Sequence, residues 1–320
     1  MKKILHVILI SIFSLTVISC AKKDDSSSSD TSSVSFVAVG ASGTLLTSPD
    51  AITWTSRTSG TSNNLRSFAF DGSSTGVVVG HSGTILTSTD GITWTSRTSG
   101  TTKNINNVAY GNSKFIAVGD NGTTLHSSDG ITWTDWTSTC GANDNYSFWD
   151  VAYSGSTWVA VGDNGSIYTS DESSCTKRTS GTTVEFNELL YGDSTFVAAG
   201  DNGTVLTSSN GTSWTSRSSS TTNDLYGGTY TDSDSDGDKN FIFVGASGKL
   251  LSSNSTYTTW TPIELSSIST GNLFGLARGG TTWVIVGTSG YISSITDDES
   301  DVTTRTSGTT EYLRRVFYKP

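Results

Sequence analysis

The chain has 320 residues, of which 15% are charged and 33% hydrophobic, with a net charge of −10. So acidic a chain repels polyanions, which excludes nucleic acid as a natural partner. It holds three histidines, His6, His81 and His126, too few for a His-rich metal site or a Ser-His-Asp triad to be expected.

Residues 1–19 read as a leader. Lys2-Lys3 form a positive start, and Ile4 to Ile18 form an apolar run too short for a comfortable membrane span. The run ends in Val17-Ile18-Ser19-Cys20, which resembles the lipobox of bacterial lipoproteins. That resemblance implies a lipid such as palmitate on Cys20 and a membrane anchor in the bacterial cell envelope, at the outer membrane. The bland alternative is a secretory signal with a chance cysteine. Removing the leader takes away Lys2 and Lys3 and no acid, so the remainder is more acidic still. Residues 20–33 (CAKKDDSSSSDTSS) carry no apolar periodicity and read as a tether reaching roughly 20 Å. Lys22-Lys23-Asp24-Asp25 resembles the export tag of bacterial surface lipoproteins, although a solvated charge run explains it nearly as well.

From residue 34 to 320 one unit repeats. An apolar run enters a glycine, a Gly-flanked turn follows, and a third strand leads through an Asp-Gly turn to Trp. The marker glycines are Gly40, Gly80, Gly119, Gly162, Gly200, Gly245 and Gly287. A period of about 40 residues with several strands per repeat predicts an all-β, seven-bladed β-propeller. The innermost strands are expected at Leu65–Phe70, Ile105–Tyr110, Phe148–Tyr153, Phe186–Tyr191, Leu225–Tyr230, Leu273–Arg278 and Leu313–Tyr318. Residue 34 leads into a second strand, Phe36–Val39, with no inner strand before it in this repeat. The inner strand Leu313–Tyr318 has no second strand after it. The C-terminal strand should therefore pair into the first blade and close the ring. Asp50, Asp90, Asp129 and Asp171, with Asn210 in blade five, are placed to bind backbone N–H groups across a tight turn. Trp54, Trp94, Trp133 and Trp214, four residues later, are placed to pack between blades. Features that recur in most blades read as scaffold.

The pattern Ser-x-Asp-Gly-x-Thr-Trp after an apolar-Gly hairpin resembles the Asp-box, or bacterial neuraminidase repeat, of YVTN-type propellers. It is most similar to the seven-repeat version in the photosystem II stability and assembly factor family. The resemblance covers about residues 34–320 and implies the fold; Asp-box propellers include sialidases, xyloglucan hydrolases, sorting receptors and assembly factors. Blade four departs from the pattern, with Cys175 in place of Trp, and blades six and seven lack the Asp-Gly pair. The recurrent Arg57, Arg97, Arg178, Arg217 and Arg305 fall on outer strands, so the converging arginines of a sialidase are not expected.

Two local features stand apart from the repeats. Cys140 and Cys175 are an even pair, which outside the cytoplasm favours a disulfide over two separate thiols. Asp232, Asp234 and Asp236 precede Gly237, with Asn240 at position nine, as in a calcium loop. Phe243 stands where an EF-hand carries glutamate, so the loop resembles integrin-type propeller hairpins. Its calcium would be structural; the alternative is a solvated acidic insertion. No other cofactor is required.

Residues that differ between blades gather near the start of the inner strands. Position two carries Arg66, Trp149, Tyr226, Phe274 and Arg314, with Asn106 and Asn187; position three carries Asp150, Glu188 and Arg315, with Ser67, Asn107, Gly227 and Gly275. Arginine and aromatic side chains around one mouth suit a protein or glycan ligand. The alternative is variation in packing near the axis. The sequence therefore predicts a monomeric, lipid-anchored, non-enzymatic binding propeller with no catalytic residues, serving surface adhesion or envelope assembly. The competing expectation is a glycan-active hydrolase or lyase using acids such as Asp150 and Glu188.

Overall fold

Each apolar run that enters a marker glycine is short, β-branched and followed by a turn, so it forms a strand rather than a helix. The computed structural model describes residues 34–140, 146–232, 239–265, 267–297 and 302–319. The leader at 1–19, Cys20 and the tether at 20–33 lie outside the described residues. No helix among those described is long and apolar enough to cross a membrane.

The described residues form seven four-stranded antiparallel sheets, arranged as the blades of a propeller. Blade one takes its second, third and outer strands from Phe36–Gly40, Leu45–Ser48 and Thr55–Ser56, and its inner strand from Leu313–Tyr318. Phe36 pairs with Tyr318 and Val39 with Arg315, so the last strand closes the ring as its orphan position predicted. The other inner strands begin at Leu65, Ile105, Phe148, Phe186, Leu225 and Leu273.

No single core fills the molecule. Seven apolar clusters lie one at each blade–blade contact. At the closing seam Phe36, Ala38, Leu313 and Val316 of blade one pack on Ala277, Val284 and Val286 of blade seven. Trp54 covers that seam from the rim, and Trp94, Trp133 and Trp214 take the equivalent places elsewhere.

The Asp turns behave as local physics requires. Asp90 accepts the N–H of Ile92 at 2.7 Å and of Thr93 at 2.8 Å, and the Ser88 hydroxyl at 2.9 Å. Burial opposes its charge, but these donors together hold its carboxyl down to about 2. Asp50, Asp129 and Asn210 make the same turn. Blade six, which lacks the Asp-Gly pair, substitutes Asn254, whose Oδ1 accepts the N–H of Thr258 at 2.9 Å before the fully buried Trp260. The outer-strand arginines are consumed locally: Arg97 Nε donates to Thr87 Oγ1 at 2.8 Å, and Arg57, Arg178 and Arg217 repeat the bond.

The marker glycine is a demand for space. At Gly162 the backbone is extended, as any residue allows. A Cβ there would lie 1.9 Å from the Ser147 carbonyl oxygen, which accepts the Asp163 N–H at 3.0 Å. The same carbonyl approaches every marker glycine, at 2.4 Å or less from the added Cβ.

Candidate functional site: the channel mouth

That close approach breaks the ladder at one place in all seven blades. Leu65 pairs with Gly80 and Ser67 with Val79, which leaves Arg66 as a β-bulge. Asn106, Trp149, Asn187, Tyr226, Phe274 and Arg314 are skipped in the same way. A bulge re-aims the extra side chain, so position two of every inner strand projects around one mouth of the channel.

Three of the seven are tied down by the residue after a marker glycine. Asn106 Nδ2 donates to Asp120 at 3.0 Å, Trp149 Nε1 to Asp163 at 2.7 Å, and Asn187 Nδ2 to Asp201 at 2.9 Å. The rest form an aromatic and cationic surface. Arg66 lies over Trp149 at 4.9 Å, and Arg314 over Phe274 at 5.5 Å. Phe274 also packs on Tyr226 and Tyr312, with ring centroids 5.4 and 5.9 Å away. Neither Arg66 nor Arg314 makes a hydrogen bond or ion pair among the described residues, and Arg66 Nε is buried without a partner.

The mouth has two electrical sides. Burial, then the Arg66 and Arg315 guanidiniums, press Arg314 below the ordinary arginine range, and burial does the same to Arg66. Burial, then the charge of Arg66, lowers the pKa of His81. On blades four and five, burial and the charges of Asp163 and Asp201 raise the pKa of Glu185. A guanidinium that is desolvated, stacked and unpaired is primed for a carboxylate.

Position three departs from the sequence expectation. Asp150, Glu188 and Arg315 do not share the mouth with the bulged residues; each is less than 10% exposed. They return to the regular ladder after the bulge, opposite Val161, Ala199 and Val39. Arg315 reaches across the channel from blade one. Its Nη1 donates to Glu188 Oε1 at 2.6 Å, and its Nη2 lies against Glu188 Oε2 and 3.4 Å from Asp150 Oδ2. Asp150 Oδ2 also accepts the Leu189 N–H at 2.8 Å. Gly275 stands at this position in the blade beside Arg315 and Gly227 in the blade beyond it, and at both a Cβ would meet backbone atoms of the next blade. Burial raises the pKa of both acids against the pull of Arg315. Burial thus keeps a proton on Glu188 up to about 8, beside the Arg315 guanidinium.

Cys140, just past the outer strand of blade three, is joined to Cys175 in blade four by a disulfide with Cα atoms 4.9 Å apart. It closes a loop of 35 residues. Replacing both by serine is expected to cost about 3–4 kcal/mol. Thermal melts with and without reductant check this: reductant should lower the wild-type midpoint and leave the variant unmoved. In the calcium-loop expectation, Asp232 is exposed and Asn240 begins a strand, while Asp234 and Asp236 lie outside the described residues. Among the described residues no group of three or more His, Cys, Asp or Glu is arranged to hold a metal ion.

Sequence reasoning passed over Tyr312, Glu185 and the row Asp120, Asp163 and Asp201. The signal was present in the residue after each marker glycine, which is acidic only in blades three to five.

The chain matches no protein-family model and no curated protein. Solved structures match its fold. "YCF48 bound to D1 peptide" aligns with a TM-score of 0.61 at 18% identity, covering 76% of this chain and 81% of that one. YCF48 from Cyanidioschyzon merolae gives 0.60 at 16% identity, covering 77% and 86%. The WD40 propeller domain of Doa1 gives 0.58 at 13% identity, covering 85% and 89%. At these identities the likeness is one of fold.

Proposed function

We propose that this propeller is a non-enzymatic binding module whose bulge-lined mouth takes a protein segment bearing a carboxylate. The observation that carries this is the pair Arg66 and Arg314, stacked on Trp149 and Phe274 without an acidic partner. Aromatic area with directed guanidinium donors is the composition of a binding hot spot. That a similarly folded protein has been solved with a peptide supports a protein ligand over a glycan. The hydrolase alternative rests on Asp150 and Glu188, whose carboxylates are held by Arg315 below the mouth. An Asp-box ancestry, a lipid on Cys20 and a place at the bacterial outer membrane belong to the same reading.

Panning a random peptide library against the protein tests the mouth. Enriched peptides should share an acidic side chain or a free C-terminus. Arg66→Ala with Arg314→Ala should weaken them roughly ten- to a hundredfold, the worth of one lost charge-assisted contact or somewhat more. Enrichment that is equal on the double variant would overturn the reading. Labelling cells with radioactive palmitate tests the anchor: label should enter the protein and be absent from Cys20→Ala.

A further inference from the structure

On the far side of the Arg315 cluster from the mouth, the channel holds a cavity of about 350 Å³. Its inner end carries Asn107 and the Asp150–Glu188–Arg315 cluster, and its walls include Val108, Leu189, Leu276 and Val316. Arg278 and Tyr318 stand at its lip, and Tyr318 is among the most exposed large apolar residues.

Asn107 is 5% exposed, lines this cavity and makes no side-chain hydrogen bond among the described residues. Its amide atoms are open to the cavity rather than sealed in the interior, so they are free to bond with what enters it. The charge count beside it points to the missing partner. The cluster holds two carboxylates and one guanidinium, so it has room for one more positive charge. Arg315 already donates to both acids, which leaves an anion no free donor there. The apolar walls would cover the body of a ligand whose head reaches the cluster.

We propose that this cavity binds a compact organic monocation, an alkylammonium whose head group donates to Asn107 Oδ1 and to the Asp150–Glu188 pair. The site is separate from the mouth and does not depend on what the mouth binds. The charges balance: the entering ammonium replaces the proton held on Glu188, and that proton leaves to solvent. The charged groups facing this exchange are Asp150, Glu188 and Arg315 themselves, Arg314 on the mouth side and Arg278 at the lip. Burial holds Glu188 protonated up to about 8, in keeping with a proton available for exchange near neutral pH.

The test is isothermal titration calorimetry with n-pentylammonium chloride, set against 1-hexanol and sodium pentanoate. Pentylammonium should bind at least about tenfold more tightly than either control. Near pH 6.5 its heat should vary with the ionisation enthalpy of the buffer, reporting about one proton released, and near pH 9.5 it should not. Asn107→Leu should weaken binding about tenfold or more with an unchanged melting temperature, while Arg66→Ala should leave it intact. Leu276→Phe, which fills the cavity from its apolar wall, should abolish it and serves if Asn107→Leu fails to fold. Equal binding of 1-hexanol would reduce the cavity to an apolar void and overturn the proposal. So would the absence of measurable pentylammonium binding, or binding that Asn107→Leu leaves unchanged.

Discussion

Deleting residues 309–320 is expected to unfold the whole ring rather than shorten it by one strand. The deleted segment supplies every pairing from Phe36↔Tyr318 to Gly40↔Leu313. It also removes Leu313 and Val316, 0% and 3% exposed, from the seam between blades one and seven. Losing two such side chains costs about 2–5 kcal/mol each when they are only trimmed. Removing the strand itself leaves the edge of Phe36–Gly40 unpaired and leaves Asp150 and Glu188 without Arg315. Together these exceed the roughly 5–15 kcal/mol by which a folded domain is stable. Circular dichroism during heating should show no cooperative transition. A soluble product melting within a few degrees of wild type would refute the closing role of this strand.

Arg315→Met is the sharper experiment, because it leaves the strand in place. It strands two buried carboxylates, and breaking a buried ion cluster from one side costs about 3–5 kcal/mol. The pH dependence gives the sign. Burial raises the folded-state pKa of Asp150 and of Glu188, the latter to about 8. Between the ordinary carboxylate range and that value the folded state binds more protons than the unfolded one. Their contribution is therefore fully present in mild acid and is lost as pH rises toward about 8. Wild-type urea midpoints should fall modestly from pH 5 to pH 8, and those of Arg315→Met should fall more steeply. Adding Glu188→Gln to the variant should recover part of the loss and flatten the slope. A variant as stable at pH 8 as at pH 5 would show that the acids are not buried against each other.

The ring was legible because its cause is local and repeated. A glycine that must admit a carbonyl recurs about every 40 residues, and an inner strand without a neighbour at one end matches a missing strand at the other. The mouth was half legible. Arg66, Trp149, Phe274 and Arg314 stand out because they differ between blades. What sends them to the mouth is a bulge, and a bulge is a property of backbone approach that no residue pattern spells out. Asp150, Glu188 and Arg315 come from distant blades, and only the closed ring brings them together. Their position beside the bulge gave no sign that they return to the ladder and are buried. In blade six the turn was hidden because Asn254 sits two residues further from its tryptophan than Asp90 sits from Trp94.

The bond between the first described strand and the last also sets a clock. While the chain is being synthesised, the sheet that begins at Phe36 has no inner strand to complete it. Blades two to seven can form as they emerge, since each takes its four strands from one stretch of chain. The seam at Phe36 waits for Tyr318, the pairing with the largest separation in sequence. Contacts that distant are slow to form, because the loop must be closed before the contact stabilises it. Until the ribosome has released the final strand the protein is an open arc with a sticky end at each side. It becomes a closed ring in one late step.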